Sequence, residues 1–206
     1  PNNPTGTMIS EDEIEKLLNK IPSNILLVLD GAYSEYVDSF DGGISLANKF
    51  GNLFVTRTFS KIYALGGLRV GWGYGSRDII DVLNSVRSPF NVSSVGLKMA
   101  ELSIADVEFV SQQREFNRVN REELRNKLLG LGLKIDQSFA NFLLLRFLSE
   151  EQANTIDSFL KKKGFILRKV GSYGLPNCLR LSIGNTEVCE KLYLALAEYF
   201  DQNDRV

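Results

Sequence analysis

Six consecutive residues, Ile25 to Asp30 (ILLVLD), constrain the fold of this chain more than any other stretch. A strand with one wet face alternates apolar and polar side chains, and this run does not. It suits a strand covered on both faces, as in the parallel sheets of α/β proteins. Leu53 to Thr58 (LFVTRT) is a second strand-like run, and Val70 to Gly75 a third. Helical patterns flank them. Ser10 with Glu13 makes a capping box, and Ile14, Leu17, Leu18 and Ile21 follow at helical spacing. A short helix is expected over Asp78 to Val86. This alternation of helices and strands places the chain in the α/β class.

From Ser94 to Leu131 the pattern is helical. Its highly charged middle, SQQREFNRVNREELRNK, reads as a solvated connecting helix. A second, smaller domain is expected beyond it. Phe142 to Phe147 is strand-like, and Ser149 with Gln152 caps a helix bearing Ala153, Ile156, Phe159 and Leu160. Phe165 to Arg168 and Leu179 to Ile183 read as further strands. A final helix begins near Thr186, with Val188, Leu192, Leu196 and Tyr199 on one face. The basic run Lys161 to Lys163, just before Gly164, reads as a capped and solvated helix end.

Composition removes several classes of function. The 206 residues are 44% hydrophobic, ample for a core, and no apolar run approaches the length needed to span a membrane. No targeting peptide is visible. Charges balance at 24 basic to 25 acidic, so nothing draws the chain to nucleic acid or an anionic membrane. There is no histidine, and Cys178 and Cys189 match no metal-ligand spacing. A zinc site and a histidine-based triad are thereby excluded, and no metal is expected. The chain reads as a reduced, cytoplasmic protein.

The chemistry lies in TFSKIYALGGLRVG, Thr58 to Gly71. Lys61 stands one residue after Ser60 and three after Thr58, and Arg69 follows eight residues on. An amine desolvated beside a second cation is a nucleophile at neutral pH. Two hydroxyls and a guanidinium fork are what a phosphate monoester wants. The combination suits a lysine forming a Schiff base with an aldehyde whose phosphate lies close by, and pyridoxal 5'-phosphate joins those two groups. Asp30 closes the ILLVLD run. It is open to three readings: a cofactor carboxylate, a cap for the next turn, or a dinucleotide-binding acid. The last needs an upstream G-x-G-x-x-G opening a helix, and GWGYG, at Gly71 to Gly75, lies downstream of Asp30 with the wrong spacing.

Two more stretches, PNNPTG at the start and VLDGAYSEY from Val28 to Tyr36, carry a resemblance. NPTG, D-x-x-Y and S-K-(x)7-R stand here in the order and spacing of the aspartate-aminotransferase-like pyridoxal-phosphate enzymes, fold type I. The resemblance implies an α/β large domain with a mostly parallel sheet and flanking helices, plus a small α+β domain. It implies the C-terminal part of the large cofactor-binding domain over 1–95, a connecting helix over 96–130 and the small domain over 131–206. Asp30 resembles the carboxylate that pairs with the pyridinium nitrogen. Tyr33 and Asn3 resemble the two side chains that hydrogen-bond the ring's phenolic oxygen. Lys61 resembles the Schiff-base lysine and proton carrier. Arg69, Ser60 and Thr58 resemble the phosphate cup. Residue 1 falls inside the first motif, so the chain is expected to be the C-terminal part of a longer protein, one that works as a homodimer.

Arg180, in CLRLSIGN, resembles the arginine that grips the substrate's anionic group. Arg168, in FILRKVG, lies where histidinol-phosphate aminotransferases carry a second arginine for a phosphate. A strand arginine paired with a surface carboxylate is the alternative for each. RSPFNVSS, Arg87 to Ser94, and SKIYALGGLRVG both look like that branch, which implies histidinol phosphate as amino donor and 2-oxoglutarate as the 2-oxo acid acceptor, in histidine biosynthesis. Aromatic or broad-specificity aminotransferases and threonine-phosphate decarboxylases share much of this wording. So does a class without catalysis, the aminotransferase-like sensor domains of some transcription regulators. Asn141, in SFANF, matches a family asparagine or serves a turn.

Overall fold

The computed structural model describes residues 1–202. They divide into two compact units, Ile9–Arg114 and a second made of Pro1–Met8 with the chain from Glu115 onward. The division after Arg114 falls inside the 96–130 segment expected to connect the two domains, and the first eight residues group with the second unit.

In the first unit, helix α1 (Glu11–Leu18) starts at Ser10. Ser10 Oγ accepts the Glu13 N–H while the Glu13 carboxylate accepts the Ser10 N–H, the reciprocal box expected from the sequence. Strands β1 (Leu27–Asp30), β2 (Leu53–Thr58) and β3 (Gly71–Gly75) form a sheet in that order, with α2 (Ile44–Lys49) between the first two. β1 and β2 pair in parallel, β2 and β3 antiparallel. Ile14 and Leu18 of α1 and Leu46 of α2 pack on Leu53 and Val55 of β2, with Leu27 and Leu29 of β1 beside them. That cluster gathers one face of β1 alone. Val28, on the other face, is 55% exposed, so the expectation of a strand covered on both faces is not met. Leu17, expected on the apolar face of α1, is exposed as well.

Helix α3 (Arg77–Val86) follows β3, and α4 (Ser94–Ala105) packs Ala100 against Phe59 and Val70. The helical stretch expected over 94–131 is interrupted. Asp106 leaves helical geometry and its Oδ1 accepts the Phe109 N–H at 3.0 Å, capping a new helix, α5 (Val107–Gly130). The boundary between the two units falls inside α5.

The second unit is built on an antiparallel sheet of β4 (Lys134–Ile135), β5 (Phe142–Arg146), β6 (Arg168–Val170) and β7 (Leu175–Ser182), in the order β4-β5-β7-β6. Helices α6 (Glu150–Lys162) and α7 (Thr186–Gln202) complete it. Leu143 and Leu145 of β5 and Leu179 and Leu181 of β7 meet Leu124 and Leu128 of α5, Ile156 and Leu160 of α6, and Leu192 and Leu196 of α7. The pleat sends Leu144, Cys178 and Arg180 to the opposite face. The strand expected at Phe165 to Arg168 begins later. Gly164 ends α6 at φ 86°, and the Phe165 N–H bonds back to Leu160 O, so Phe165 belongs to the helix cap. The lysine run lies there as expected but is not merely solvated: Lys161 pairs with Asp157 and Lys163 with Glu198.

The charged middle of α5 departs from its expected role too. Asn117, Asn120 and Arg121 are buried. Asn117 Nδ2 and Arg121 Nη1 both donate to Ala140 O, at 3.3 and 3.0 Å, and Arg125 donates to the carbonyls of Ile135 and Asp136. Asn117 and Arg121 thus serve the buried Ala140 in the turn before β5, and Arg125 serves the end of β4.

Candidate active site

The first unit brings six of the expected site residues to the ends of β1 and β2, where open α/β sheets hold their ligands. Asp30 is the last residue of β1 and pairs in register with Thr56. Its Oδ1 accepts the Ala32 N–H at 3.0 Å, so one oxygen caps the turn and the other is left for a further partner. Tyr33 follows in that turn. Its ring centroid lies 5.2 Å from Lys61 Nζ. Lys61 comes three residues after the end of β2, and neither it nor Asp30 forms an ion pair among the described residues.

Thr58, Ser60 and Arg69 form one cluster beside Lys61. The Ser60 N–H donates to Thr58 Oγ1 at 3.0 Å, and Arg69 Nη1 donates to Ser60 Oγ at 3.3 Å and to Gly66 O at 2.7 Å. Arg69 takes φ 55°, a left-handed conformation that L side chains adopt at a cost. Such strain persists where the surroundings fix it, and here it aims the guanidinium back at the turn. Two hydroxyls, a guanidinium, an amine and a separate carboxylate are a donor set that fits an aldehyde carrying a phosphate and a basic ring nitrogen.

Asn3, Arg168 and Arg180 belong to the second unit. Arg180 Nη1 donates to Asn3 Oδ1, and its guanidinium lies 5.0 Å from the centroid of the Phe142 ring. Its Nε is buried with no partner. Arg168 is the direct cross-strand neighbour of Arg180, so the two guanidinium stems rise from one face of the sheet. The segment bearing Asn3 is tied down at Gly6, whose carbonyl accepts the Phe139 N–H at 2.8 Å. Gly6 has φ +74°, and a Cβ there would lie 2.2 Å from Ser138 Oγ, so no larger residue fits. The backbone oxygen of Asn141 accepts the Ile183 N–H at 2.9 Å, a structural duty.

The sequence matches the profile of a known family, described as aminotransferase class I and II, over residues 1–196. The chain belongs to the class I and II aminotransferases. It is 49% identical over 199 residues to histidinol-phosphate aminotransferase of Paracoccus denitrificans, an alignment covering 97% of this chain and 54% of that protein. The crystal structure of histidinol-phosphate aminotransferase from Sinorhizobium meliloti, in complex with pyridoxal-5'-phosphate, superposes with a TM-score of 0.88 at 26% identity. It covers 98% of this chain and 56% of the other. L-threonine-O-3-phosphate decarboxylase from Porphyromonas gingivalis gives a TM-score of 0.86 at 23% identity, covering 98% and 62%, a likeness of fold alone. The aminotransferase chain thus spans about half the length of the curated relative it matches, and its fold is that of type I.

Two residues of the site escaped the reading of the sequence. Glu35, two residues after Tyr33, and Arg57, directly before Thr58, form an ion pair at 2.9 Å that is almost wholly out of solvent. Burial pushes the Glu35 carboxyl above the usual carboxylate range against the opposing pull of Arg57 and Arg114. The signal that could have found them is a lone arginine in an apolar strand with an acid just past the preceding one.

Proposed function

We propose that this aminotransferase works with pyridoxal 5'-phosphate, takes its amino group from histidinol phosphate and passes it to 2-oxoglutarate. The cross-strand pair of Arg168 and Arg180 carries the choice of donor. Two cations rise from one sheet face, and neither meets a carboxylate among the described residues. Like charges placed opposite each other oppose folding. A doubly charged phosphate turns that repulsion into attraction, and the names of the relatives favour the same donor.

When bound, the cofactor supplies an electron sink for the bond-breaking step. Lys61 holds it and moves the proton between two carbons, its amine close enough to Tyr33 to be oriented by the ring. The free oxygen of Asp30 keeps the ring nitrogen protonated, while Oδ1 fixes the carboxylate by its bond to the Ala32 N–H. Thr58, Ser60 and Arg69 hold the cofactor phosphate. Tyr33 donates to the phenolic oxygen, the role the resemblance also gives Asn3. Arg180 and Arg168 hold the substrate anion. A homodimer in the cytoplasm, acting in histidine biosynthesis, completes the proposal. Among the described residues no helix is long and apolar enough to cross a membrane, and no cluster of side chains could hold a metal ion.

The test is a specificity panel on the full-length protein with histidinol phosphate, aromatic amino acids and threonine phosphate. Amino transfer from histidinol phosphate well above the rest is expected. Equal use of phenylalanine would overturn the phosphate assignment, and release of carbon dioxide from threonine phosphate would move the protein to the decarboxylases.

A further inference from the structure

The turn that carries Tyr33 is fastened by two arginines. Arg57, from β2, donates Nη1 to Glu35 Oε1 at 2.9 Å and Nη2 to Asp41 O at 2.6 Å. Arg114, from α5, donates Nε to Glu35 O at 2.6 Å and Nη1 to Asp38 at 3.2 Å. Glu35 is therefore gripped by its side chain and by its backbone. The side chains of Glu35 and Arg57 are only 11% and 8% exposed. A pair this dry is a poor stabiliser, because the loss of hydration by both ions offsets their attraction.

The pair is also incompletely satisfied. Ser34 Oγ, Glu35 Oε2 and Arg57 Nε are all buried without a partner. Gly31 makes room for it: a Cβ there would lie 2.8 Å from Arg57 Cδ and 2.9 Å from Ser34 Oγ. An arrangement that leaves polar atoms unpaired and demands a glycine is not one that stability alone explains. What it does hold is geometry. One end lies two residues from Tyr33, the other directly precedes Thr58, and the Tyr33 ring stands beside Lys61. Arg57 itself is backed by Trp72 of β3, with its guanidinium 5.7 Å from the ring centroid.

We propose that Glu35 and Arg57 are positioning residues, a buried charged brace that sets the Tyr33 hydroxyl relative to the strand leading to Thr58, Ser60 and Lys61. The proposal rests on the cofactor reading above. Neither residue is among those assigned to hold the cofactor. Removing the charge of Glu35 loosens the turn, weakens the bond from Tyr33 to the phenolic oxygen and so raises the pH at which the bound cofactor loses its proton.

The experiment uses full-length protein loaded with pyridoxal 5'-phosphate, as wild type, E35Q and the double variant E35Q/R57M. Two quantities are read: the pH midpoint of the cofactor's absorbance change, and the melting temperature of the cofactor-free protein. In E35Q the midpoint should rise by roughly half a unit to one unit, the scale set by a hydrogen bond to one protonation state. The double variant removes both buried charges, so it should recover melting temperature while keeping the shifted midpoint. A midpoint that returns with the melting temperature would reduce the pair to a structural role and overturn the proposal. So would an E35Q that titrates with a normally titrating wild type. A wild type that takes up no cofactor would overturn the cofactor reading and this proposal together. If E35Q is recovered unfolded, E35D supplies the same two readings, with a smaller rise in the midpoint expected and an unchanged midpoint counting against the brace.

Discussion

Replacing Arg168 by glutamine should move two observables in opposite directions. Residues directly opposite on antiparallel strands have Cβ atoms about 4.5–5.5 Å apart, and like charges there oppose folding by roughly 0.2–1 kcal/mol. Arg168 faces Arg180 in this way and is itself exposed, so screening holds the effect to the lower part of that range. Glutamine keeps most of the apolar stem and removes the charge. The substrate-free protein should therefore melt higher by about 0.5–2 °C at low salt, at the usual 2–4 °C per kcal/mol for a protein of this size. The gain should fade as salt is added. Binding should go the other way. A charge-assisted contact to phosphate is worth about 1.5–3 kcal/mol, and its loss should weaken use of histidinol phosphate by roughly tenfold to a hundredfold.

The assay is each half-reaction in single turnover, with histidinol phosphate in one direction and 2-oxoglutarate in the other, beside a melting curve at low and high salt. The loss should be confined largely to the phosphate substrate. Arg180→Ala should damage both half-reactions, because the charge it removes serves both substrates. A lower melting temperature for R168Q at low salt would show that Arg168 is stabilised by something other than an awaited anion. Equal, slight losses with both substrates would remove Arg168 from the site.

Lys61→Ala should abolish the absorbance band of lysine-bound cofactor and cost at least the roughly hundredfold to ten-thousandfold that a positioned proton carrier contributes; a retained band with near-normal turnover would remove Lys61 from its role. Asp30→Ala should lower turnover far more than cofactor affinity, measured by equilibrium dialysis, and equal losses would leave Asp30 as a turn cap only. Gly6→Ala puts a Cβ at 2.2 Å from Ser138 Oγ with φ at +74° and should lower the melting temperature. Ser138→Ala should not rescue it, because the Ser138 Cβ lies 2.7 Å away and the backbone strain remains. The Glu35 carboxyl titrates above its ordinary 4.5 because of burial, so its contribution to stability is complete below that pH and is lost as pH rises through the raised value. E35Q lacks this dependence, so the difference in melting temperature between wild type and E35Q should drift in favour of E35Q as pH rises from 4.5 through the raised value, with the opposite drift refuting the sign.

Local signals were legible where the residues that decide them are neighbours in the chain. The Ser10–Glu13 box needs four residues, and the bounds of β2 follow from an apolar alternation closed at Thr58. Asp30 and Lys61 could be placed at strand ends for the same reason. What could not be read is what comes from afar. A continuous apolar run says that a strand can be covered on both faces, not that it is, and Val28 is the residue that shows the difference. The polar stripe of α5 reads as solvent-facing because no local rule says that Ala140 O, 19 residues past Arg121, needs donors. The Glu35–Arg57 pair spans 22 residues and the Arg114 contact to the same turn spans 79.

These hidden contacts share one chemistry. Arg57 donates to Asp41 O, Arg114 to Glu35 O, Arg121 to Ala140 O, Arg125 to Ile135 O and Asp136 O, and Arg69 to Gly66 O. All but the carbonyl of Ile135, the last residue of β4, lie in turns or loops outside the strands. A guanidinium has five donors in a rigid fork and no acceptor, so it can satisfy such carbonyls and still present charge. Lysine offers a point charge on a flexible stem and cannot fix a turn in the same way. The turns fastened like this include those that carry Tyr33 and that set Arg69 beside Ser60. The precision of the site therefore depends on arginines outside its reacting groups. Exchanging Arg57 or Arg114 for lysine would keep the net charge yet lose the paired contacts that hold the Tyr33 turn at two points.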